Sequence, residues 1–293
     1  MNKFTITQFR AAYPDDDACL DKIFKLRFNN LVCPKCESTN QFKRVKNRRS
    51  YQCPSCAQQV YPTKDTVFEK TTTPLTHWFY AIYLQTTTRN GVAAKELERQ
   101  LDVCYKTALR MCHQIKKLMV NKNTDPFTGT IELDECYIGG KFDNKHNSEK
   151  KKIKEAGGNF LINKTTVFGM IERKGKVHAQ VMPDASKENI EPIIRSKVEF
   201  ASKVYTDTSG LYHGLNDEYY HSTVNHSLDE YVCMDIHTNT IEGFWSQLKR
   251  TIKGTHIKVS PKHLQKYVDE VAFRYTHREK QSEMFETILQ NVV

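Results

Sequence analysis

Two short cysteine pairs constrain this chain more than any other feature. Cys33-Pro-Lys-Cys36 and Cys53-Pro-Ser-Cys56 are separated by sixteen residues, a spacing that lets two knuckle turns set four thiolates around one tetrahedral ion. Within each pair the two middle residues form a turn whose backbone amides face the sulfurs, and the hairpin between the pairs closes the site. The expectation is a small ribbon from about Leu31 to Val67, held by one structural Zn²⁺ on Cys33, Cys36, Cys53 and Cys56, with an iron centre or a redox pair as the alternatives. The total of nine cysteines is odd, so metal ligation in a reducing compartment explains the pairs better than a disulfide framework. Cys19, Cys104, Cys112, Cys136 and Cys233 read as small buried residues.

The chain has 293 residues, enough for one sizeable core and one or two small modules. Lys and Arg number 44 against 34 Asp and Glu, a net charge of +10. That excess favours a polyanionic partner, because neutralising phosphates releases counterions; a basic enzyme without a nucleic-acid partner is the alternative. The chain lacks an apolar run of about eighteen residues, and its first residues lack the apolar stretch of a secretory signal. The sequence thus predicts an intracellular, DNA-associated protein with no membrane partner.

Four regions follow from the patterning. Residues 1–30 read as a lead-in of two short helices, with apolar positions at Phe9, Tyr13, Leu20, Ile23, Phe24 and Phe28 interrupted by Pro14 and Asp15 to Asp17. Residues 31–70 hold the zinc ribbon. Residues 71–125 read as three helices with a tight turn between the last two, broken at Asp102-Val103. From residue 126 to 285 the pattern becomes α/β: β-branched alternating runs at Thr130 to Ile138, Thr165 to Ile171 and Lys176 to Met182, a helix near Lys187 to Phe200 and a strand at Lys203 to Thr206. The basic segment from Lys141 to Gly158 reads as a mobile loop.

Candidate DNA contacts fall in three places. The hairpin between the cysteine pairs carries Lys43, Arg44, Lys46, Arg48 and Arg49 against the single acid Glu37, which makes Arg44 and Arg48 candidates for phosphate; a solvated hairpin face is the plain alternative. The stretch Ala94 to Arg110 has the layout of a helix-turn-helix, in which Lys106 and Arg110 start a helix able to enter a major groove. A purely structural helix pair has the same pattern. Lastly, Gly243 to Lys280 holds nine Lys or Arg and three acids, with Lys249, Arg250 and Lys253 the foremost candidates.

Three acids stand in contexts that suit a divalent cation. Asp134 lies in Thr-Ile-Glu-Leu-Asp-Glu-Cys-Tyr-Ile, Asp207 closes Lys-Val-Tyr-Thr-Asp, and Glu242, separated from Asp207 by thirty-four residues, opens a helical stretch. Two-metal phosphoryl transfer needs carboxylates converging on two ions. Strand alternation puts Glu132, Asp134 and Cys136 on one face and Ile131, Leu133 and Glu135 on the other, so Glu132 is a candidate helper or even the principal acid. Acids in an apolar strand are costly to bury without a cation. Each acid has a plainer reading as well: Asp207 before Thr-Ser-Gly suits a turn, and Asn239-Thr-Ile-Glu suits a helix cap with an acid at the third helical position. In the helix after Glu242, Ile241, Trp245, Leu248 and Ile252 form an apolar stripe, while Glu242, Ser246, Lys249 and Lys253 share another face.

Taken together, the two cysteine pairs, Ile131-Glu-Leu-Asp-Glu-Cys-Tyr-Ile-Gly-Gly-Lys141, Val204-Tyr-Thr-Asp-Thr-Ser-Gly210 and His237-Thr-Asn-Thr-Ile-Glu-Gly-Phe-Trp-Ser-Gln-Leu-Lys-Arg250 resemble the insertion-sequence transposases of the DDE superfamily with an N-terminal zinc ribbon, a group related to the Merlin transposons. The likeness spans nearly the whole chain. It implies a ribonuclease-H-like core after a zinc ribbon and a small helix-turn-helix-like module, with Asp134, Asp207 and Glu242 as the catalytic acids holding two Mg²⁺, or Mn²⁺. It further implies strand cleavage and strand transfer on double-stranded DNA, at the element's terminal repeats and at a target, by a homo-oligomer of two or more copies. Lys249 matches the basic residue that accompanies the glutamate in many of these enzymes. The alternatives are a transposase-derived DNA-binding regulator without catalysis and a metal-dependent nuclease that never joins strands.

Overall fold

The computed structural model describes residues 4–122, 124–140, 146–155, 164–224 and 236–292. The chain divides into two compact units: Met1–Met119 with His277–Val293, and Val120–Thr276.

The first unit begins with helices α1 (Ile6–Ala12) and α2 (Asp16–Arg27). Thr5 and Gln8 form a capping box on α1, and the Asp15 side chain caps α2 at the amide of Ala18. Asp16 and Asp17 then lie in the first turn of α2 and Lys25 and Arg27 in its last, each matched in sign to the helix dipole. The acids that interrupt the apolar pattern are therefore a helix start. Next comes a three-stranded antiparallel ribbon of β1 (Lys43–Arg44), β2 (Tyr51–Gln52) and β3 (Gln59–Val60). Three helices follow, α3 (Leu75–Thr87), α4 (Ala94–Leu101) and α5 (Tyr105–Leu118). Asp102 turns the chain between α4 and α5 in the left-handed conformation, φ +50°, and the Gln85 amide clasps both backbone groups of Val92. The unit closes with the C-terminal helix α10 (Met284–Gln290), whose Phe285 joins a ring cluster with Phe9, Tyr13 and Phe79.

The second unit is built on one five-stranded mixed sheet. Its strands are β4 (Thr130–Ile138), β5 (Thr165–Glu172), β6 (Val177–Met182), β7 (Lys203–Asp207) and β8 (Tyr220–Val224), in the spatial order β6-β5-β4-β7-β8. The first three pair antiparallel, and β7 and β8 run parallel to β4. The sequence pattern does not reveal strand β8, because Tyr-His-Ser-Thr-Val lies at the sheet's rim with four of its five residues outside the core. Alternation along β4 sorts two cores onto opposite faces. Cys136 packs with Val167, Ile171 and Ala179 under helices α8 (Asn239–Thr251) and α9 (Leu264–Thr276). Ile131 and Leu133 pack with Phe168 and Met170 under α7 (Lys187–Lys197). This is the division of faces that the period of two predicts.

Two expectations are corrected here. Within the basic segment, Asn147–Glu155 forms a helix, α6, rather than a loop, and Lys151 pairs with Glu155 one turn on at 3.9 Å. The rest of Lys141 to Gly158, His146 aside, lies outside the described residues. Cys104 is exposed at the start of α5, not buried, because the residue ahead of a helix points away from the packed face. Cys19, Cys112 and Cys136 are buried as expected, and Cys233 lies outside the described residues.

Candidate active site and metal centre

The cysteine pairs form two knuckles of the same construction. The amide of Cys33 donates to Ser38 O and that of Glu37 to Cys33 O; the amide of Cys53 donates to Gln58 O and that of Ala57 to Cys53 O. Each turn ends in the left-handed region, at Glu37 (φ +55°) and Ala57 (φ +63°). All four sulfurs lie within 4.8 Å of one another. Cys33 Sγ is 3.5 Å from Cys56 Sγ, and Cys36 Sγ is 3.8 Å from Cys53 Sγ. A tetrahedron with Zn–S bonds of about 2.3 Å has edges of about 3.8 Å, so the donor set fits one structural Zn²⁺. Burial raises the thiol pKa of Cys33, but the amides of Lys35 and Cys36 outweigh it and hold the thiol below its ordinary value. At Cys53 the amides of Cys56 and Ser55 likewise overcome burial.

The hairpin cations do two different jobs. Arg44 is turned inward: its guanidinium pairs with Asp17 at 2.7 Å and donates to Ser50 O, Val45 O and Arg48 O. Arg49 similarly ties Thr71 O and Thr73 O to Asp16. Arg48 is exposed, as are Lys106 and Arg110 on α5.

The acids of the second unit converge. In the parallel register Glu132 sits beside Tyr205, so two residues further along Asp134 comes beside Asp207, the last residue of β7. Burial raises the Asp134 pKa to about 6; the Glu135 amide and the Trp245 indole pull it down, and the charges of Asp207 and Glu242 push it up again. The charges of Asp207 and Glu242 are thus both felt at Asp134. Asp207 also begins a turn, accepting from the amide of Ser209 at 2.9 Å, so its structural and site readings coexist. Glu242 is exposed on α8. Among the described residues, the four thiols are the one group of three or more metal-ligating atoms all within 4.8 Å, so the three carboxylates stand wider apart than the sulfurs.

Helix α8 presents its two predicted faces. Ile241, Trp245 and Leu248 are buried, while Glu242, Ser246 and Lys249 are exposed, with Arg250 beside them; buried Ile252 and exposed Lys253 carry the two faces into the π-helical turn Ile252–His256 that follows. Lys249 reaches back to the sheet. Burial raises the pKa of the Cys136 thiol and the charge of Lys249 pulls it down, and Cys136 is on the same strand face as Asp134.

Glu132 is neither helper nor principal. Its buried carboxylate accepts from the amides of Thr240 (2.8 Å) and Ile241 (3.0 Å), from the Thr240 hydroxyl (2.7 Å) and from Arg173 Nε (2.7 Å). These amides are among the unpaired donors of a helix N-terminus. The cap residue of α8 is Thr238 rather than Asn239, and it makes no side-chain cap bond to the backbone; an acid from the sheet caps the helix instead. Glu242 is consequently the fourth helical residue, with its carboxylate accepting from the Thr238 hydroxyl at 3.4 Å.

Sequence reasoning missed two further features. On the opposite face Glu135 accepts a short hydrogen bond from the Tyr212 hydroxyl. Burial raises the Glu135 pKa to about 7; Tyr212 opposes this, and the charges of Asp134 and Asp207 reinforce it. The signal available was an acid on the apolar face of a strand. The second feature is Trp245, which the sequence shows only as part of an apolar stripe: its Nε1 donates to Asp134 Oδ2 at 2.9 Å.

Comparison with known proteins places both units among transposase sequences. Residues 126–276 match the model of the ISXO2-like transposase domain, and residues 14–59 match that of the transposase zinc-ribbon domain. A protein of the transposable element ISH50 from Halobacterium salinarum is 26% identical over 275 residues, covering 90% of this chain and 92% of that one. A transposase-like protein of Haemophilus influenzae is 32% identical over 121 residues, covering 41% of this chain and 95% of its own.

Proposed function

We propose that this chain, which belongs to the ISXO2-like transposase family, cleaves DNA at the terminal inverted repeats of its insertion sequence and transfers the freed strand to target DNA. The observation that carries the reading is the parallel register of β4 and β7, which sets Asp134 beside Asp207, with the charges of Asp207 and of Glu242 on α8 both felt at Asp134. The strand order supports it: three antiparallel strands followed by two parallel ones is the arrangement expected of a ribonuclease-H-like core.

The donor set fits hard cations, since it offers carboxylate oxygens alone, and a cation would relieve the cost of ionising the partly buried Asp134. Asp134, Asp207 and Glu242 would hold two Mg²⁺, with Mn²⁺ able to substitute. When bound, such ions supply Lewis acidity at the scissile phosphate and a more acidic attacking hydroxyl. The chain's own groups bind and orient. Lys249, seven residues after Glu242 on the same face, is placed to hold a phosphate at the site, and Arg250 on α8 and Lys253 in the turn after it extend that surface. In the first unit Arg48, Lys106 and Arg110 are the exposed cations offered to the repeats, with Arg44 shaping the hairpin from within. A dimer or larger assembly would bring two element ends together, and the working place is intracellular DNA. No helix among the described residues is long and apolar enough to cross a membrane.

The test is incubation of the purified chain with labelled DNA carrying the element's terminal repeats, with Mg²⁺ or EDTA, beside Glu242→Gln. Metal-dependent nicked and joined products, lost in the variant, support the proposal. Specific binding without cleavage in any metal favours a transposase-derived regulator, and nicks without joined products favour a nuclease.

A further inference from the structure

The sheet leaves a gap beside Asp134, and Trp245 fills it. Asp134 is paired across the antiparallel ladder with Gly169 of β5. A Cβ built on Gly169 would lie 2.6 Å from both Cη2 and Cζ2 of the Trp245 ring and 3.4 Å from Ile241 Cδ1. Real carbon atoms do not approach so closely, so the indole occupies the volume that any other residue at 169 would claim. The ring is 4% exposed, and its Nε1 reaches Asp134 Oδ2 at 2.9 Å.

A buried indole N–H needs an acceptor, and a backbone carbonyl would satisfy it. Here the acceptor is one oxygen of Asp134, a candidate metal ligand. A carboxylate tied at one oxygen to a rigid ring set in the core keeps its plane fixed, and its other lone pairs remain for a cation. Groups that hold a metal-ligating carboxylate in this way govern metal affinity without touching the metal.

We propose that Trp245 is the positioning residue of Asp134, and that Gly169 is the socket in the sheet that lets the indole reach it. This rests on the reading of Asp134 as a metal ligand, and the test separates the two. Mn²⁺ binding to the full-length, zinc-loaded chain is measured by titration calorimetry and by the electron-spin signal of free Mn²⁺. Wild type is compared with Asp134→Asn, Trp245→Phe, Gly169→Ala and the double variant Gly169→Ala with Trp245→Phe.

Trp245→Phe is expected to weaken Mn²⁺ binding roughly 10-fold or more, the usual cost of losing such a partner, and Asp134→Asn to lose the site. Gly169→Ala should weaken Mn²⁺ binding similarly and also lower the melting temperature, because the ring must move. Adding Trp245→Phe should restore melting and leave Mn²⁺ binding weak, since Phe lacks the outer ring atoms that collide. Should Trp245→Phe not fold, benzothienylalanine at position 245 keeps the ring shape and removes only the N–H; weakened binding there supports the proposal. Wild-type Mn²⁺ affinity in the Phe or benzothienyl protein, with the site lost in Asp134→Asn, overturns the positioning role alone. Wild-type affinity in Asp134→Asn overturns the metal-ligand reading beneath it.

Discussion

The four thiols and the three carboxylates are two ways of building a metal centre, and they differ in almost every physical respect. The thiols come from two turns within twenty-three positions of chain, and backbone amides lower the pKa of Cys33 and Cys53 before any ion is considered. The carboxylates come from two strands and a helix spread over more than a hundred positions, and the neighbouring acids help to raise the Asp134 pKa to about 6. Local turns make a set of ligands that is already assembled, the property wanted of a structural staple. Long-range packing holds Asp134 partly out of water beside other acids, and such stress is characteristic of sites that work on a substrate.

The largest test of this contrast is Cys33→Ser. It should abolish zinc binding and melt the ribbon, read as zinc per chain by atomic absorption, while the cooperative melting of the second unit persists. Loss of both units together would break the distinction. Next, Glu132→Ala should cost about 3–5 kcal/mol in denaturant unfolding, because it removes the carboxylate partner of Arg173 and uncaps α8. A cost below about 1 kcal/mol would return Glu132 to the candidate metal ligands.

Asp134→Asn should act in the opposite direction on stability. The folded pKa lies above the usual carboxylate value, so the ionised acid penalises the native state above about pH 6, and the penalty fades as the pH falls from about 6 toward 4. The metal-free variant should therefore be more stable than wild type at pH 8, by up to roughly 3 kcal/mol, with little difference at pH 4. Glu135, raised to about 7, adds to the same slope, and Mg²⁺ should flatten it in wild type. Equal stabilities of variant and wild type across that range would remove the charge stress from the comparison. Smallest of all, Arg48→Ala should leave folding unchanged and reduce the salt dependence of DNA binding by about one phosphate contact, whereas Arg44→Ala should act on ribbon stability.

Much of this was legible in advance. The knuckles depend on the spacing within each Cys-x-x-Cys pair, the faces of β4 on a period of two, and the stripes of α8 on a period of 3.6, so counting positions recovers them. Counting set Glu135 on the other face but did not decide between Glu132 and Asp134. One is consumed by a helix N-terminus 108 positions away, one faces two other acids, and one meets Tyr212 on the far side of the sheet. The distinction between Arg44 and Arg48 was equally hidden, because it depends on Asp17 of a neighbouring helix.

By itself the sequence determined the zinc ligands, the mixed α/β character of the second unit, the exposed face of α8 and the kinship with transposases. All of these are carried by spacing along the chain. Only the tertiary structure decided which acid caps a helix and which remains for a cation, and that a glycine in β5 makes room for the indole that holds Asp134. A buried carboxylate takes its role from the donors and charges that surround it, and those arrive from segments whose distance along the chain bears no relation to their distance in space.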